Sequence, residues 1–350
     1  MNHNVRIGNS LVGPGQSVFV IAEAGVNHNG ELSVAKQLID VAVAAGANAV
    51  KFQTFRAETL VTNYAPKAAY QMATTTAEQT QLDMLRQLEL STSAHYTLKA
   101  YCAEKGITFL STPFDEESAD FLETLGVPAY KISSGDLTNF PLIEHVSRKG
   151  KPVIISTGMA TLEEVGEAVH VADDAGCREL VILHCVSNYP AAPEEINLRA
   201  MKTMEKAFAV PIGFSDHTEG TSVCLAAVAR GAAVVEKHFT LDKTLPGPDH
   251  RASLEPKELE SLIKGIREIE LSLGDGRKLP SPTELETAKV ARRSIVAAKD
   301  ILAGTVLQSE SIVLKRPGTG LPPSKIKSLL GRRVREDIAA GTLIESDMLD

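Results

Sequence analysis

The sequence predicts an α/β fold, an eight-stranded (β/α)8 barrel followed by a small C-terminal domain, on three observations. Short apolar runs alternate with longer amphipathic segments eight times, several amphipathic segments stop at a glycine, and the chain changes character near residue 273. Eight buried strands alternating with helices are what a (β/α)8 barrel requires. In order, the candidate strands are Val18–Ala24, Ala49–Thr54, Thr108–Thr112, Ala129–Ser133, Val153–Thr157, Leu180–Val186, Ile212–His217 and Val234–His238. Between them lie helical patterns such as Val34–Ala45, Ala94–Lys105, Ala119–Leu125, Leu162–Ala175, Leu198–Ala207 and Thr221–Arg230. Gly46, Gly106, Gly126, Gly176 and Gly231 follow such patterns, the usual stop signal of a helix. An open doubly wound sheet would show fewer strands and a glycine-rich first turn, and Gly25-Val26-Asn27-His28-Asn29-Gly30 does not match GxGxxG.

Gly274, Asp275, Gly276, Pro280, Ser281 and Pro282 form a breaker cluster. The chain therefore divides into a barrel over 1–275, a linker over 276–287 and a small domain over 288–350. In the last, Ser294–Ala298 and Ile312–Lys315 read as short strands, and Asp300-Ile301-Leu302-Ala303-Gly304-Thr305 is repeated as Asp337-Ile338-Ala339-Ala340-Gly341-Thr342. A domain of that size has a marginal core and is expected to pack against something else.

Bulk properties exclude several function classes. Of 350 residues, 36 are Lys or Arg and 44 Asp or Glu, a formal charge of −8 that argues against nucleic acid as the main partner. A local cluster of cations can still hold a small anion. No apolar run approaches the roughly 18–20 residues of a membrane span, and residues 1–16 lack the apolar core of a signal peptide. The four cysteines, Cys102, Cys177, Cys185 and Cys224, are scattered without a CxxC pair, which reads as buried thiols in a reducing, cytoplasmic setting.

The strand ends carry the chemistry. Nearly every candidate strand is apolar until it closes in a polar group: Glu23, Lys51 with Gln53, Thr112, Lys131 with Ser133 and Ser134, Ser156, His184, Ser215 with His217, and Glu236 with His238. A single such residue is an ordinary buried polar group; the same pattern at eight strand ends is the mouth of a barrel, where active sites sit. Side chains two apart share a strand face, so Lys51 and Gln53, Ser215 and His217, and Glu236 and His238 can each point together. A buried ammonium is costly unless paired. Lys51 and Lys131 must then either pair with carboxylates such as Glu23 or Asp136, or receive an anion, and the nearby hydroxyls of Thr112, Ser134 and Ser156 suit a phosphate or carboxylate. A Schiff-base lysine fits two equivalent lysines less well. His217 and His238 end adjacent strands about 4.8 Å apart, so they can share a divalent ion or be structural. Glu236 is a ligand, an orienter or a base. Leu245-Pro246-Gly247-Pro248-Asp249-His250 reads as a stiff loop over the mouth, or a surface turn.

These motifs resemble a known family. Ile21-Ala22-Glu23-Ala24-Gly25-Val26-Asn27-His28-Asn29-Gly30, Lys51-Phe52-Gln53-Thr54, Ser111-Thr112-Pro113-Phe114, Tyr130-Lys131-Ile132-Ser133-Ser134-Gly135-Asp136, Ile155-Ser156-Thr157-Gly158-Met159, Gly213-Phe214-Ser215-Asp216-His217, Glu236-Lys237-His238-Phe239-Thr240 and Pro246-Gly247-Pro248-Asp249-His250 are similar, in order, to the motif series of the bacterial sialic acid (N-acetylneuraminate) synthases. Lys315-Arg316-Pro317-Gly318-Thr319-Gly320 resembles the signature of that family's antifreeze-like SAF domain. The resemblance implies a TIM barrel with a C-terminal SAF domain and a metal-dependent transferase that condenses phosphoenolpyruvate with an N-acetylated amino sugar. N-acetylmannosamine is the expected sugar, giving N-acetylneuraminate and phosphate by C–O cleavage. The alternatives are a legionaminate synthase using 2,4-diacetamido-2,4,6-trideoxymannose, a pseudaminate synthase, or a non-catalytic carbohydrate-binding protein with a degenerate barrel mouth.

The resemblance also implies roles. His217 and His238 hold Mn2+ or Mg2+; Lys51, Thr112, Lys131, Ser134, Ser156 and Ser215 bind phosphoenolpyruvate; Gln53, Asp136 and Asp249 contact the sugar. Glu23, Lys51, Lys131 and Glu236 are the candidate catalytic residues, with Glu23 or Glu236 handling protons. Arg316 comes from the partner subunit of a domain-swapped homodimer and touches the N-acetyl group. Two positions depart from the family pattern: Asp136 stands where many members carry Glu, and Val186, with Ser187 and Asn188 after it, where some carry a polar residue. The segment Ala65–Gln71 is the stretch expected to bear on the choice of sugar.

Overall fold

Eight parallel strands carry the chain's first half and more: β3 (Phe19–Gly25), β4 (Ala49–Thr54), β5 (Thr108–Pro113), β6 (Tyr130–Ile132), β7 (Val153–Ser156), β8 (Leu180–Cys185), β9 (Ile212–Asp216) and β10 (Val234–His238), after an antiparallel hairpin of β1 (Val5–Ile7) and β2 (Ser10–Val12). These are the elements of a computed structural model, described here for residues 3–68, 71, 72 and 79–350. The sheet order is β5-β4-β3-β10-β9-β8-β7-β6, so the first of the eight strands pairs with the last and the sheet wraps on itself. Each strand is followed by at least one helix, from Leu32–Ala45 after β3 to Pro256–Leu273 after β10. Gly46 and Gly126 close their helices in left-handed conformations, φ 83° and 80°, which a side chain would disfavour.

Strand alternation divides the barrel into two layers. Val20, Val50, Phe52, Ile132, Ile155, Ile182, Phe214 and Val235 face outward and pack with helix residues such as Leu38, Leu98, Leu122 and Leu262. Phe19, Ile21, Ala49, Leu110, Ile154, Val181, Leu183 and Val234 face inward and fill one end of the barrel. Val5, Ile7 and Val12 of the hairpin join that inner cluster, which plugs the end opposite the strand carboxyl termini. A hairpin of two three-residue strands offers too short a periodicity to be read from sequence.

The chain resolves into two compact units, 1–274 and 275–350. Within the second, β11 (Ser294–Ala297) pairs antiparallel with β12 (Ile312–Lys315) over a core of Ile295, Ile301, Leu307, Val334, Ile338 and Ile344. The sequence repeat proves to be a structural one. Ile301 and Ile338 exchange both backbone hydrogen bonds at 2.8 Å, Asp337 accepts from Ala303 N–H, and Asp300 accepts from Ala340 N–H, each at 2.7 Å. The stretch 276–287, read as linker, contains the start of a helix, Pro282–Ala291. Ser281 and Glu284 form a reciprocal capping box around Pro282, so part of the breaker cluster is a helix start signal.

Candidate active site

The strand carboxyl ends enclose a cavity of about 520 Å³ lined by Glu23, Lys51, Gln53, Thr112, Lys131, Ser134, Ser156, Ser215, His217, Glu236, His238 and Asp249, among others. Several arrive by the same route: an apolar residue two positions earlier faces the barrel interior, as Ile21 precedes Glu23, Ala49 Lys51 and Val234 Glu236, and the alternation carries the polar group inward at the mouth.

Charge at the floor is balanced by two lysines and two glutamates. Lys51 Nζ lies 2.8 Å from Glu23 Oε2 and 3.7 Å from Glu236 Oε2, and donates to Thr112 Oγ1 at 3.1 Å. Lys131 Nζ donates to Ser156 Oγ at 2.6 Å and stands 3.5 Å from Glu236 Oε1, which accepts from Ser215 Oγ at 3.1 Å. The lysines' carboxylate partners are thus Glu23 and Glu236; Asp136 is not one of them. The environments push the two carboxyls apart. Burial raises Glu23 to about 7 against the opposing pull of Lys51, with the like charge of Glu236 adding to the rise. Burial also penalises ionised Glu236, but Lys131 and Lys51 reverse this and hold it below its ordinary value. Burial lowers Lys131, and Glu236 does not fully offset it. Separated carboxyl pKa values of this kind divide acid–base work from charge stabilisation.

Beside Lys131, hydroxyls gather around Gly158. Its N–H donates to Ser134 Oγ at 3.0 Å, and a Cβ there would stand 2.1 Å from Ser187 Oγ and 2.9 Å from Ser134 Oγ, so only glycine admits both. Ser187 Oγ is buried without a hydrogen-bond partner. Ser187, which follows Val186, thus meets Ser134 beside Gly158 and lines the same cavity as Lys131 and Ser156.

His217 and His238 face each other with ring centroids 5.4 Å apart. His217 Nδ1 donates to the Val186 carbonyl at 2.7 Å, which leaves Nε2 as the free ring nitrogen. His238 Nδ1 is buried without a hydrogen-bond partner and lies 3.9 Å from Asp249 Oδ2. Burial, and next the neighbouring His217, keep His238 far below its ordinary pKa and therefore neutral, as a ligand must be. Burial is overcome at His217 by Cys185 and the Val186 carbonyl, which hold its pKa up. The two rings thus offer a divalent ion Nε2 of His217 and a ring nitrogen of neutral His238. Among the described residues no group of three or more His, Cys, Asp and Glu is arranged to hold a metal, so any ion here relies on oxygen from water or substrate for the rest of its shell.

Two expected residues do not line the cavity. Asp136 does not line the cavity: its carboxylate accepts from Ser133 Oγ at 2.6 Å and Asn139 Nδ2 at 3.3 Å, closing its own turn. The short side chain is held by these two neighbours within its own turn. His184 points outward, its Nε2 2.6 Å from the Ile196 carbonyl oxygen, because strand parity turns Cys185 inward instead. Arg316 belongs to the second unit, where its Nε donates to the Ala291 carbonyl at 3.0 Å.

One wall of the cavity was not anticipated. Helices Ala57–Leu60 and Gln81–Leu88, inserted between β4 and β5, contribute Leu60, Met84, Leu85 and Leu88, and Val26, Phe114 and Met159 join them. Val26, Phe55, Met84 and Leu88 form a small core of their own. Ala68 and Gln71 also line the cavity, whereas Ala69 and Tyr70 of the segment Ala65–Gln71 lie outside the described residues. The periodicity of an eight-residue helix is too brief to stand out between strands, so only a structure could reveal this wall. Tyr189 was likewise unforeseen; its ring lies 4.0 Å from that of His217.

Comparison with known proteins decides the family. Residues 38–278 match the NeuB family, and residues 292–350 match the SAF domain. The chain belongs to the NeuB family. It is 47% identical to the N,N'-diacetyllegionaminic acid synthase of Legionella pneumophila, over 95% of this chain and 94% of that one. It is 36% identical to the human N-acetylneuraminate-9-phosphate synthase, over 97% and 94% of the two chains. A crystal structure of the N-acetylneuraminic acid synthetase of Leptospira borgpetersenii, in complex with citrate, superimposes with a TM-score of 0.72 at 36% identity, covering 82% of this chain and 96% of that one. This NeuB-family chain is accordingly a transferase of the sialic acid synthase type, a (β/α)8 barrel with a C-terminal SAF domain. Among the described residues no helix is long and apolar enough to cross a membrane.

Proposed function

We propose that this enzyme condenses phosphoenolpyruvate with the open-chain aldehyde of 2,4-diacetamido-2,4,6-trideoxymannose, giving N,N'-diacetyllegionaminic acid and phosphate. The observation that carries the choice of sugar is the apolar group of Leu60, Val61, Met84, Leu85 and Leu88, which lines the same cavity as the charged floor. A 6-deoxy methyl and a second acetyl group suit such a lining better than the free hydroxyls of N-acetylmannosamine, the sugar the motifs first suggested. Identity to the Legionella synthase, higher than to the human one, supports the same choice.

Lys51 and Lys131, with Thr112, Ser134, Ser156, Ser187 and Ser215, fix the carboxylate and phosphate of phosphoenolpyruvate. Its C3 carbon then faces the aldehyde, and C3 attack forms the new C–C bond and leaves cationic character at C2. Water adds at C2, and the adduct loses phosphate by breaking the C2–O bond. Ionised Glu236, between the two ammonium groups, stabilises the developing positive charge at C2. Glu23, able to exchange a proton near neutrality, delivers one to the aldehyde oxygen and handles the proton of the attacking water. Gln53 and Asp249 hold the sugar. His217 and His238 hold the Mn2+ or Mg2+, which when bound supplies Lewis-acid polarisation of the aldehyde; the preference for Mn2+ or Mg2+ rests on family resemblance, since imidazoles alone suit later transition metals. Assembly follows the same resemblance: a domain-swapped homodimer, near twice the 37.5 kDa chain mass, in which Arg316 of one subunit touches the sugar bound by the other. A fully active monomer in sedimentation would contradict it.

The test is phosphate release from phosphoenolpyruvate labelled with oxygen-18 at the bridging position, in Mn2+ buffer, with each sugar in turn. Release with the trideoxy sugar, and label in the phosphate, are expected. Release with neither sugar overturns the proposal, and label retained in the sugar product overturns C–O cleavage. His238→Ala should abolish the activity that Mn2+ restores to chelator-treated enzyme; near-wild-type turnover in chelator would refute the metal role.

A further inference from the structure

An ion pair on the outward face of β9 and β10 takes no part in the chemistry above. Lys237 and Asp216 are ladder partners, with Nζ 2.8 Å from Oδ2 and both side chains wholly buried. Other strands of the barrel fill the same layer with apolar groups such as Phe52, Ile132 and Ile155. Neither Lys237 nor Asp216 lines the cavity.

The pair is tied to the backbone of Thr218, just after His217. Asp216 Oδ1 accepts the Thr218 N–H at 2.9 Å, and Lys237 Nζ donates to the Thr218 carbonyl. Cys224 Sγ, from helix Ser222–Ala229, donates to Asp216 Oδ2 at 3.0 Å and anchors the cluster from behind. Alternation places Ser215 and His217 on either side of Asp216, and Glu236 and His238 on either side of Lys237, all aimed into the cavity. Four floor groups on two strands therefore share one lock behind them.

Stability alone is a poor reason for such a pair. The cost of desolvating two buried charges commonly matches or exceeds their attraction, and well-packed apolar residues often serve as well. What the ion pair supplies, and Phe or Ile cannot, is direction. A one-residue slip of β10 on β9 would turn Glu236 and His238 out of the cavity, and it would also separate the buried charges.

We propose that the Asp216–Lys237 pair is a positioning device for the reaction, fixing residues 216–218 and the β9–β10 register so that His217, His238 and the Ser215–Glu236 hydrogen bond keep their places. The proposal rests on the synthase reading of the cavity. Its test compares Lys237→Met, Asp216→Asn and the doubly apolar Asp216→Leu/Lys237→Met variant. Turnover, KM for phosphoenolpyruvate, melting temperature and the His217 Nδ1–H signal of 15N-histidine-labelled protein are measured for each. Turnover should fall about 10- to 100-fold in the single variants, the loss expected of a small misplacement, with KM for phosphoenolpyruvate within about threefold and the His217 signal shifted or exchanged away. The double variant should regain thermal stability but neither turnover nor the signal. If the single variants do not fold, the double variant decides. A double variant with wild-type turnover and an unchanged His217 signal overturns the proposal. Failure of the synthase reading is distinct: it is a wild-type protein that turns over no aldehyde, and the imidazole signal still tests positioning.

Discussion

The floor and the wall of the cavity are built on different principles. Floor residues stand on parallel strands, are almost fully buried, and hold one another: Lys51 with Glu23 and Thr112, Lys131 with Ser156, Glu236 with Ser215. The wall comes from short helices inserted between β4 and β5 and lines the cavity with Leu60, Met84, Leu85 and Leu88. A locked polar floor suits one invariant anion, because moving any charged group leaves another buried and unpaired. An apolar wall on an insertion can be altered without disturbing the barrel, and loop variation on a fixed barrel is how this fold changes specificity. Under the proposed function, floor and wall divide chemistry from choice of sugar.

Substitutions can break that division or sharpen it. The largest effect is expected at the floor: Lys131→Met removes a phosphate ligand and strands Glu236, and kcat/KM should fall by about 10³-fold or more with either sugar. A loss confined to one sugar would contradict the division. Next, Glu23→Gln keeps shape but cannot exchange a proton, and should lower kcat by about 10²-fold with little change in KM for phosphoenolpyruvate. A wall substitution such as Leu85→Asn should act on one substrate only, raising KM for the trideoxy sugar about 10-fold while leaving that for phosphoenolpyruvate unchanged. Asp136→Asn, whose carboxylate closes its own turn, should alter kcat/KM by less than about threefold; a loss like that of Glu23→Gln would restore Asp136 to the sugar site.

The same division explains what could be read from the sequence. Glu23, Lys51, Lys131, Glu236 and His238 were legible because each interrupts an apolar strand at its carboxyl end, and strand parity alone then aims it inward. Parity also corrects the reading at β8, where it selects Cys185 over His184. The ion-pair partners of the lysines were only half legible: Glu23 was named, but Glu236 meets Lys131 across strands far apart in sequence, which no local pattern encodes. The wall was hidden because short helices carry little periodicity. Asp136 was named from its residue type, whereas its bonds to Ser133 and Asn139 depend on side-chain length and turn geometry that the sequence pattern does not encode. In the second unit, the repeated Asp-Ile-x-Ala-Gly-Thr was visible, but its reciprocal hydrogen bonds required coordinates.

The most direct test of the central claim is a competition. The wild-type enzyme, saturated with phosphoenolpyruvate and Mn2+, is given equal concentrations of 2,4-diacetamido-2,4,6-trideoxymannose and N-acetylmannosamine, and the two nine-carbon products are counted by mass spectrometry. The apolar wall predicts that the diacetyllegionaminic product exceeds N-acetylneuraminate by about tenfold or more, the ratio that one or two well-placed apolar contacts supply. Equal amounts, or an excess of N-acetylneuraminate, would contradict it.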